Sequence, residues 1–421
     1  MRRGFAFVGL LVLALMGCAQ REQAAAVAPA AAPSADTRFD GVYRTVLHLP
    51  AGELPFGLEI GDGHAWLING AERMQIDDVA IEGDTIAMTM PGYQNRLAAK
   101  LDADGLRGSV TLVKLAGEKH VIPLTAARGA THRFFAGGDA VGRPADFSGR
   151  WAVEFTNDEG GRYSAVGEFT QQGESIEGTF LTGTGDHRFL AGNVRGRELH
   201  LATFDGAHAY LYRAKLDERG KLVGDYWSGL AWHERFAGKR DAKASLGKAE
   251  SATTLRAGSD SIDFAFPDVD GKVVALHDER FAGKVVVVTL AGSWCPNCHD
   301  EAAFLAPYYL AQRGQGLEVV ALMFEQFGDL PAATEAVRLF QKQFDIRYPL
   351  LIAGIHDTDD ATKKVPQLKQ VYAFPTTIFI DRKGKVRRIH TGFSGPATGE
   401  HYARLKQDFD TTIRQLLSEK S

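Results

Sequence analysis

The chain has 421 residues, enough for two or three domains at roughly 150 residues per domain. Hydrophobic residues make up 45% and charged residues 24%, which indicates a globular protein rather than a disordered one. The net charge of -4 offers no basic excess for nucleic-acid binding. Three cysteines, Cys18, Cys295 and Cys298, are too few for a disulfide scaffold, so each calls for a chemical explanation.

The first residues have the pattern of an export signal. Arg2 and Arg3 precede an apolar run at 5–16 that is too short to span a bilayer core of roughly 30 Å. The run ends in Leu15-Met16-Gly17-Cys18, which resembles the lipobox of bacterial lipoproteins. The alternative is an ordinary signal peptide that is cut near Ala19 and takes Cys18 with it.

The lipobox resemblance implies where the protein resides. Residues 1–17 would be the signal peptide, and lipidated Cys18 would become the membrane anchor. Ala19 stands where Asp would favour retention in the inner membrane, so the resemblance implies the outer membrane, facing the periplasm. Residues 18–38 are rich in Ala and Pro and predict a flexible tether.

The region 39–240 alternates with the two-residue period of β-strands. Ile86, Met88 and Met90 alternate with small or polar neighbours, and turn signals such as Asp104-Gly105 recur along the region. Short strands with frequent turns predict a β-barrel or β-sandwich. We recognise no family for this region.

The β-rich region also shows an internal similarity. Phe39-Asp40-Gly41-Val42-Tyr43 matches Phe147-Ser148-Gly149-Arg150-Trp151, which predicts two similar halves at about 39–135 and 147–240. The halves could be half-barrels or two small domains, and chance similarity between strands remains the alternative. The histidines show no metal-ligand spacing, so no metal site is predicted. Residues 241–260 predict a linker, so the β-rich region should be separable from the C-terminal part of the chain.

The last part, 261–421, alternates strands with helices and predicts an α/β domain. Residues 284–290 form a continuous apolar run, typical of a strand buried on both faces, and Cys295-Pro296-Asn297-Cys298 comes after it. The pattern then predicts these further elements: helix 301–312, strand 317–324, helix 331–344, strands 348–352, 376–380 and 386–391, and helix 401–419. A Cys-x-x-Cys motif at the first strand-to-helix turn is the thioredoxin-like arrangement. The predicted fold class is therefore multidomain, β-rich and then thioredoxin-like.

Two motifs in this part together resemble a known family. Trp294-Cys295-Pro296-Asn297-Cys298 and the run 374–381, which begins Phe374-Pro375-Thr376, resemble the TlpA/ResA branch of the thioredoxin superfamily. The resemblance covers less than half of the chain. It implies a periplasm-facing disulfide reductase.

The cysteine pair has a clear chemical interpretation. Cys295 is expected at an exposed helix start, where free N–H groups and the helix dipole lower a thiol pKa below the free value of ~8.5. Its thiolate would attack a substrate disulfide, and Cys298 would resolve the mixed disulfide. The alternatives are a structural disulfide or half a zinc site, but no second cysteine pair exists to complete a zinc site.

The family resemblance assigns further residues. It implies that Pro375 is cis and faces the cysteines, and that Pro375, Phe374 and Trp294 help to bind substrate. It also implies that Glu301, three residues after Cys298, is a buried acid that tunes the thiols. This sequence departs from the family because proline often precedes the second cysteine there, whereas Asn297 does so here; the reduction potential is therefore left open.

The predicted function is a membrane-anchored, periplasm-facing thiol-disulfide oxidoreductase that needs no cofactor. Its expected partners are disulfide-containing proteins, a membrane thiol electron donor and, through the lipid, the membrane. A lipoprotein whose β-rich region binds a ligand or partner, with an accessory redox domain, is the alternative. A thiol oxidase and a peroxiredoxin-like peroxidase are lesser alternatives, the latter because Gly292 stands where a peroxiredoxin has Thr.

Overall fold

The computed structural model describes residues 36–130, 132–136, 142–246 and 252–419. The predicted signal peptide, lipidated Cys18 and most of the tether lie outside these residues. In the described ranges, none of the helices combines the length and the apolar character that crossing a membrane requires.

The first half of the β-rich region forms one antiparallel nine-stranded sheet. Its strands are β1 (Gly41–Leu49), β2 (Gly52–Gly61), β3 (His64–Asn69), β4 (Glu72–Ile76), β5 (Val79–Glu82), β6 (Thr85–Thr89), β7 (Arg96–Asp102), β8 (Gly105–Val113) and β9 (Lys119–Arg128). Strands β1 and β9 pair in the middle, and β4 and β5 are the two edges. Because the first and last strands pair, the sheet curls into a barrel that is open only between β4 and β5.

The second half closes into a full barrel. Its strands are β10 (Gly149–Asn157), β11 (Arg162–Gln172), β12 (Ser175–Thr182), β13 (Gly185–Asp186), β14 (Leu190–Arg195), β15 (Glu198–Phe204), β16 (Ala209–Leu216), β17 (Leu222–Ser228) and β18 (Trp232–Arg240). Strand β10 pairs with both β11 and β18, and β11 pairs with β12, which completes the ring. Closure removes the exposed sheet edges that would otherwise pair with other chains.

The two barrels start with the same local structure. The Tyr43 hydroxyl donates to the carbonyl of Phe39 at 2.7 Å, and the Trp151 indole N–H donates to the carbonyl of Phe147 at 2.9 Å. An arginine from the last strand of each barrel covers each of these rings. The similarity seen in the sequence is therefore a repeated structural feature.

The barrels are packed against each other through apolar side chains. Ala209 and Leu211 of β16, together with Phe204 of β15, belong to the buried core of the first sheet. The side-chain amide of Asn69 donates to the Phe204 carbonyl at 2.9 Å and its oxygen accepts from the Phe204 N–H. Strand β16 is thus buried on both faces along part of its length, although its alternation predicts only one apolar face.

The remaining residues form a thioredoxin-like domain. Its elements are β19 (Thr254–Leu255), β20 (Ala265–Pro267), β21 (Val273–Ala275), β22 (Val285–Ala291), α1 (Pro296–Gln312), β23 (Leu317–Glu325), α2 (Leu330–Gln343), β24 (Leu350–Ile355), α3 (Thr358–Lys364), β25 (Leu368–Gln370), β26 (Thr376–Ile380), β27 (Val386–Thr391) and α4 (Glu400–Ser418). The main sheet has the order β24-β23-β22-β26-β27, with β22, β23 and β24 parallel and the other pairings antiparallel. Every residue of β22 is buried, as expected for a strand covered by helices on both faces.

This domain differs from the sequence prediction in several elements: β19, β20, β21 and β25 were not predicted, and α1 begins at Pro296 rather than at 301. The short helix α3 was not predicted, because its seven residues are too few to show a helical period. Part of the predicted 241–260 linker is structured instead: β19 pairs with β25, and Ala244 is buried against the second barrel. Residues 247–251 of that segment lie outside the described residues.

Candidate active site

The cysteine pair lies where β22 ends and α1 begins. Cys295 is the N-cap residue of α1 and Pro296 occupies the first helical turn, where its missing N–H costs nothing. Cys295 and Cys298 form a disulfide with their Cα atoms 5.2 Å apart. The Cys298 N–H donates to the sulfur of Cys295 at 3.2 Å, so the helix N-terminus is directed at that sulfur.

Cys295 is buried, which corrects the expectation that it is exposed. Its exposed fraction is 3% and that of Cys298 is 1%. Cys295 packs into the core of its own domain, and the β-rich region adds cover by contributing the turn at 114–120 and the segment 182–187 to a cleft around it. No sequence pattern indicated this cover, because the contact joins residues that are far apart along the chain.

The predicted substrate-binding residues adjoin the cysteine pair. The Phe374–Pro375 peptide bond is cis, and the carbonyl oxygen of Phe374 lies 3.7 Å from the sulfur of Cys295. Trp294 is fixed by its indole N–H, which donates to the Phe324 carbonyl at 2.8 Å, and its ring packs on His356. Trp294, Phe374 and Cys295 line one cleft. That Trp294 and Phe374 bind the substrate stays a prediction.

Glu301 is buried within the core of the thioredoxin-like domain. Its exposed fraction is 2%, and its two carboxylate oxygens accept hydrogen bonds from the hydroxyls of Thr289 and Thr377. Burial raises the pKa of Glu301 to about 7, against the opposing effect of the two hydroxyls. A carboxyl that titrates near neutral pH inside the redox domain is able to hold or release a proton during thiol exchange.

A second buried carboxyl, Glu325, was missed by the sequence analysis. It ends β23, is fully buried, and accepts from the Ser293 N–H at 2.9 Å and from the Ser293 hydroxyl at 2.6 Å. Burial raises the pKa of Glu325 to about 7. The available signal was an acidic residue directly after the apolar run 319–324 of a parallel strand, beside the strand that leads to Cys295.

Arg188 connects both barrels to the active-site helix. Its guanidinium contacts Glu72 of the first sheet at 3.1 Å, Asp205 of its own barrel at 3.6 Å, and Asp300 of α1. The side chain of Arg188 is only 7% exposed. This buried cluster of Arg188, Glu72, Asp205 and Asp300 ties all three parts of the fold together, and the sequence analysis did not identify it.

The cluster places the carboxyls of Glu72, Asp205 and Asp300 around the guanidinium of Arg188, away from solvent. Burial raises the pKa of both Glu72 and Asp300. Burial and the charge of Asp300 raise the pKa of Asp186 to about 7. Although burial alone would lower it, the surrounding carboxylates of Asp300 and Glu72 hold the pKa of Arg188 above its usual value.

The geometry of the site suits dithiol chemistry. Across the described ranges, no group of three or more His, Cys, Asp or Glu residues is placed to hold a metal ion. What the site does contain is a cysteine pair at a helix N-terminus, a cis-proline beside it and two buried carboxyls in the same domain. Such a dithiol is able to exchange with another disulfide.

Known proteins are similar to this chain over its C-terminal part. Residues 256–404 match the Redoxin family model. Thiol-disulfide oxidoreductase ResA of Bacillus subtilis (strain 168) is 29% identical over 159 residues, covering 38% of this chain and 80% of that protein. ResA of Geobacillus thermodenitrificans (strain NG80-2) is 30% identical over 140 residues, covering 33% of this chain and 72% of that protein.

A solved structure is also similar in sequence over this part. It is the crystal structure of a putative thiol:disulfide interchange protein DsbE from Chlorobium tepidum, 26% identical, with a TM-score of 0.30. The match covers 39% of this chain and 100% of that one.

Proposed function

Because the chain belongs to the TlpA/ResA-like family of thioredoxin-fold thiol-disulfide oxidoreductases, we propose that it reduces protein disulfides in the cell envelope through Cys295 and Cys298. The observation that carries the proposal is the position of Cys295, the cap of α1, with its sulfur accepting the Cys298 N–H. The same donors stabilise a thiolate at that sulfur once the pair is reduced.

The proposed reaction proceeds in two exchange steps. The Cys295 thiolate attacks one sulfur of the substrate disulfide; a mixed disulfide forms and the other substrate sulfur leaves as a thiolate. The Cys298 thiolate then attacks the Cys295 sulfur, which closes the enzyme disulfide and releases the second substrate thiol. The substrate gains two electrons from the enzyme dithiol, and the protons that Cys295 and Cys298 give up when they become thiolates balance those that the substrate thiolates take up from solvent. A membrane thiol donor would then reduce the Cys295–Cys298 disulfide again.

The proposed location is the outer membrane, with the folded part in the periplasm. Support comes from the Leu15-Met16-Gly17-Cys18 sequence and from Ala19. A lipid anchor on Cys18 would hold the enzyme where exported proteins acquire and lose disulfides.

Trapping tests the proposed reaction. In Cys298→Ser the first exchange step is intact and the second is blocked, so mixed disulfides with substrates should accumulate in envelope extracts and disappear after dithiothreitol. Cys295→Ser is the matched control and should trap nothing. If the two variants give the same pattern on non-reducing gels, Cys295 is not the attacking thiol.

The direction of electron flow needs its own measurement, because the same cysteines serve a reductase and an oxidase. A reduction potential near that of thioredoxin, roughly −270 mV, supports the proposed reductase, whereas roughly −120 mV indicates an oxidase. The Pro296-Asn297 pair between the cysteines departs from the family pattern and leaves the reduction potential open, so this measurement decides the direction of electron flow.

A further inference from the structure

The β-rich region forms one side of the active-site cleft. The cleft has a volume of about 600 Å³ and opens to solvent. The first sheet contributes the turn that includes Leu115 and Glu118, and the second barrel contributes Thr184 and Tyr210. Trp294, Cys295 and Phe374 of the thioredoxin-like domain complete the wall. Access to Cys295 is therefore controlled by residues that the dithiol chemistry does not itself require.

Specific contacts fix these walls to the redox domain. In the first sheet, the Ala116 N–H donates to the Gln326 carbonyl at 2.7 Å. In the second barrel, Asp186 accepts from the Gly395 N–H at 2.6 Å and from the Asn297 side chain at 3.3 Å. Each wall is thus held by hydrogen bonds to the redox domain, and the cleft is a fixed feature of the fold.

One glycine shows how closely the second wall approaches the helix start. Gly185 has a φ of 148°, and a Cβ atom at this position would lie 2.5 Å from the side chain of Asn297. A larger residue here would strain the backbone and require the Asn297 side chain or the wall to move. The second wall of the cleft therefore lies in close contact with the Cys-x-x-Cys loop at Gly185.

The size of the cleft limits what can reach Cys295. Clefts of roughly 300–1,000 Å³ accommodate small molecules, whereas docking of a folded protein takes a surface of roughly 800 Å² on each partner. Cys295 is only 3% exposed, so a partner has to enter the cleft to reach its sulfur rather than dock flat against it. A single extended strand or a small disulfide is narrow enough to enter.

The lining of the cleft suits a polypeptide rather than a highly charged ligand. Thr184 and Tyr210 offer hydroxyls that can bond to a peptide backbone, and Leu115 and Phe374 offer apolar contacts. The charged groups are partly engaged with one another or with backbone: Glu118 lies 3.2 Å from His120, and the Lys114 ammonium donates to the Ala207 carbonyl at 3.0 Å.

We propose that the β-rich region selects among protein disulfides, by admitting to Cys295 only those carried on flexible, extended chain segments. Disulfides on the rigid surface of a folded protein are excluded. This inference rests on the proposed exchange reaction of Cys295 and Cys298. It assigns substrate selection to the turn around Leu115 and to the segment around Thr184.

The proposed substrate selection is tested with three substrates that all release the same leaving group, nitrothiobenzoate. The pre-reduced full chain is mixed with DTNB, with an unstructured peptide whose cysteine is capped by nitrothiobenzoate, and with a folded protein whose surface cysteine carries the same cap. Release of nitrothiobenzoate is measured by absorbance. We expect the folded substrate to react at least about tenfold more slowly than the peptide, which corresponds to about 1.4 kcal/mol in the barrier.

Matched variants test the walls. Leu115 and Val121 are both 56% exposed in the first half of the β-rich region, but only Leu115 lines the cleft. Leu115→Trp should slow the peptide more than DTNB, and Val121→Trp should leave both rates unchanged. Thr184→Trp narrows the cleft from the opposite wall and should act in the same direction as Leu115→Trp.

The outcomes separate this inference from the proposed function. If the chain reacts with none of the three substrates, the exchange reaction itself is refuted and the selection falls with it. If DTNB and the peptide react but the folded substrate reacts equally fast, only the selection is overturned. The selection is also overturned if Leu115→Trp and Thr184→Trp behave like Val121→Trp.

Discussion

Replacing Glu301 with Gln should change the pH dependence of stability by a predictable amount. The carboxyl is buried and accepts from the hydroxyls of Thr289 and Thr377. Gln has the same shape, and both threonine hydroxyls can turn to suit an amide. The pKa of Glu301 is raised by burial from 4.5 to about 7. That shift of about 2.5 units corresponds to about 3 kcal/mol.

Proton counting gives the sign of the effect. Between pH 4.5 and 7 the folded chain keeps a proton on Glu301 that the unfolded chain has released, so the free energy of unfolding falls as pH rises. Gln is neutral in both the folded and the unfolded chain, so it does not cause this fall in the free energy of unfolding. The stability of Glu301→Gln relative to wild type should therefore increase by about 2.5 kcal/mol between pH 5 and pH 8.

Guanidinium unfolding of the oxidised proteins at pH 5, 6, 7 and 8 measures this difference. The comparison with wild type cancels the contribution of Glu325, which is present in both. Glu335→Gln, at an exposed position on α2, is the control and should behave like wild type at every pH. In Glu301→Gln, the apparent thiol pKa read from the pH profile of cysteine alkylation should shift by more than about one unit, or roughly 1.4 kcal/mol. Parallel stability curves and coincident alkylation profiles would show that Glu301 is ionised without cost and does not tune the thiols.

Three further changes have expected outcomes. Glu325→Ala leaves the buried Ser293 N–H without its acceptor, so unfolding should become easier by about 1–3 kcal/mol and the DTNB rate should fall; an unchanged denaturation midpoint would contradict this. Arg188→Met removes the cation from a buried acidic cluster and should cost roughly 3–5 kcal/mol in guanidinium unfolding, whereas exposed Arg162→Met should cost less than about 1 kcal/mol; equal losses would refute the role given to Arg188. Cys18→Ala should leave an uncleaved precursor on gels of the membrane fraction, and normal maturation of this variant would rule out the lipobox.

The redox domain could be predicted closely because its signals are local. The apolar run of β22, the cysteines after it and the Phe374-Pro375 pair each depend on neighbours in the chain, and the strands β26 and β27 agree with the predicted bounds. The helix of the active site begins at Pro296, earlier than the predicted 301, because the motif residues themselves form its first turn. The periodicity of apolar residues does not predict this turn, because Pro296 and Asn297 do not contribute to an apolar helix face.

Other parts of the site depend on contacts that no local pattern contains. The cleft around Cys295 is completed by the turn at Leu115 and the segment at Thr184, which are remote from it in sequence. The linker composition of 241–260 predicted a separable β-rich region, yet Arg188 of that region is paired with Asp300 beside the cysteines. From the sequence, charged residues such as these are predicted to lie at the solvated surface. Only tertiary burial removes the water around them and makes their ion pairs important for stability.

Patterns in the amino-acid sequence were enough to predict the β-rich and thioredoxin-like fold classes, the repeat marked by Tyr43 and Trp151, and the redox cysteine pair. Each of these depends on periodicity or on residues close together in the chain. The tertiary structure decided that two barrels pack on each other and that both reach the cleft at Cys295. The physical reason is that a strand pattern shows which face is apolar but not which surface will cover it, since that choice is made by shape and hydrogen bonding between distant segments.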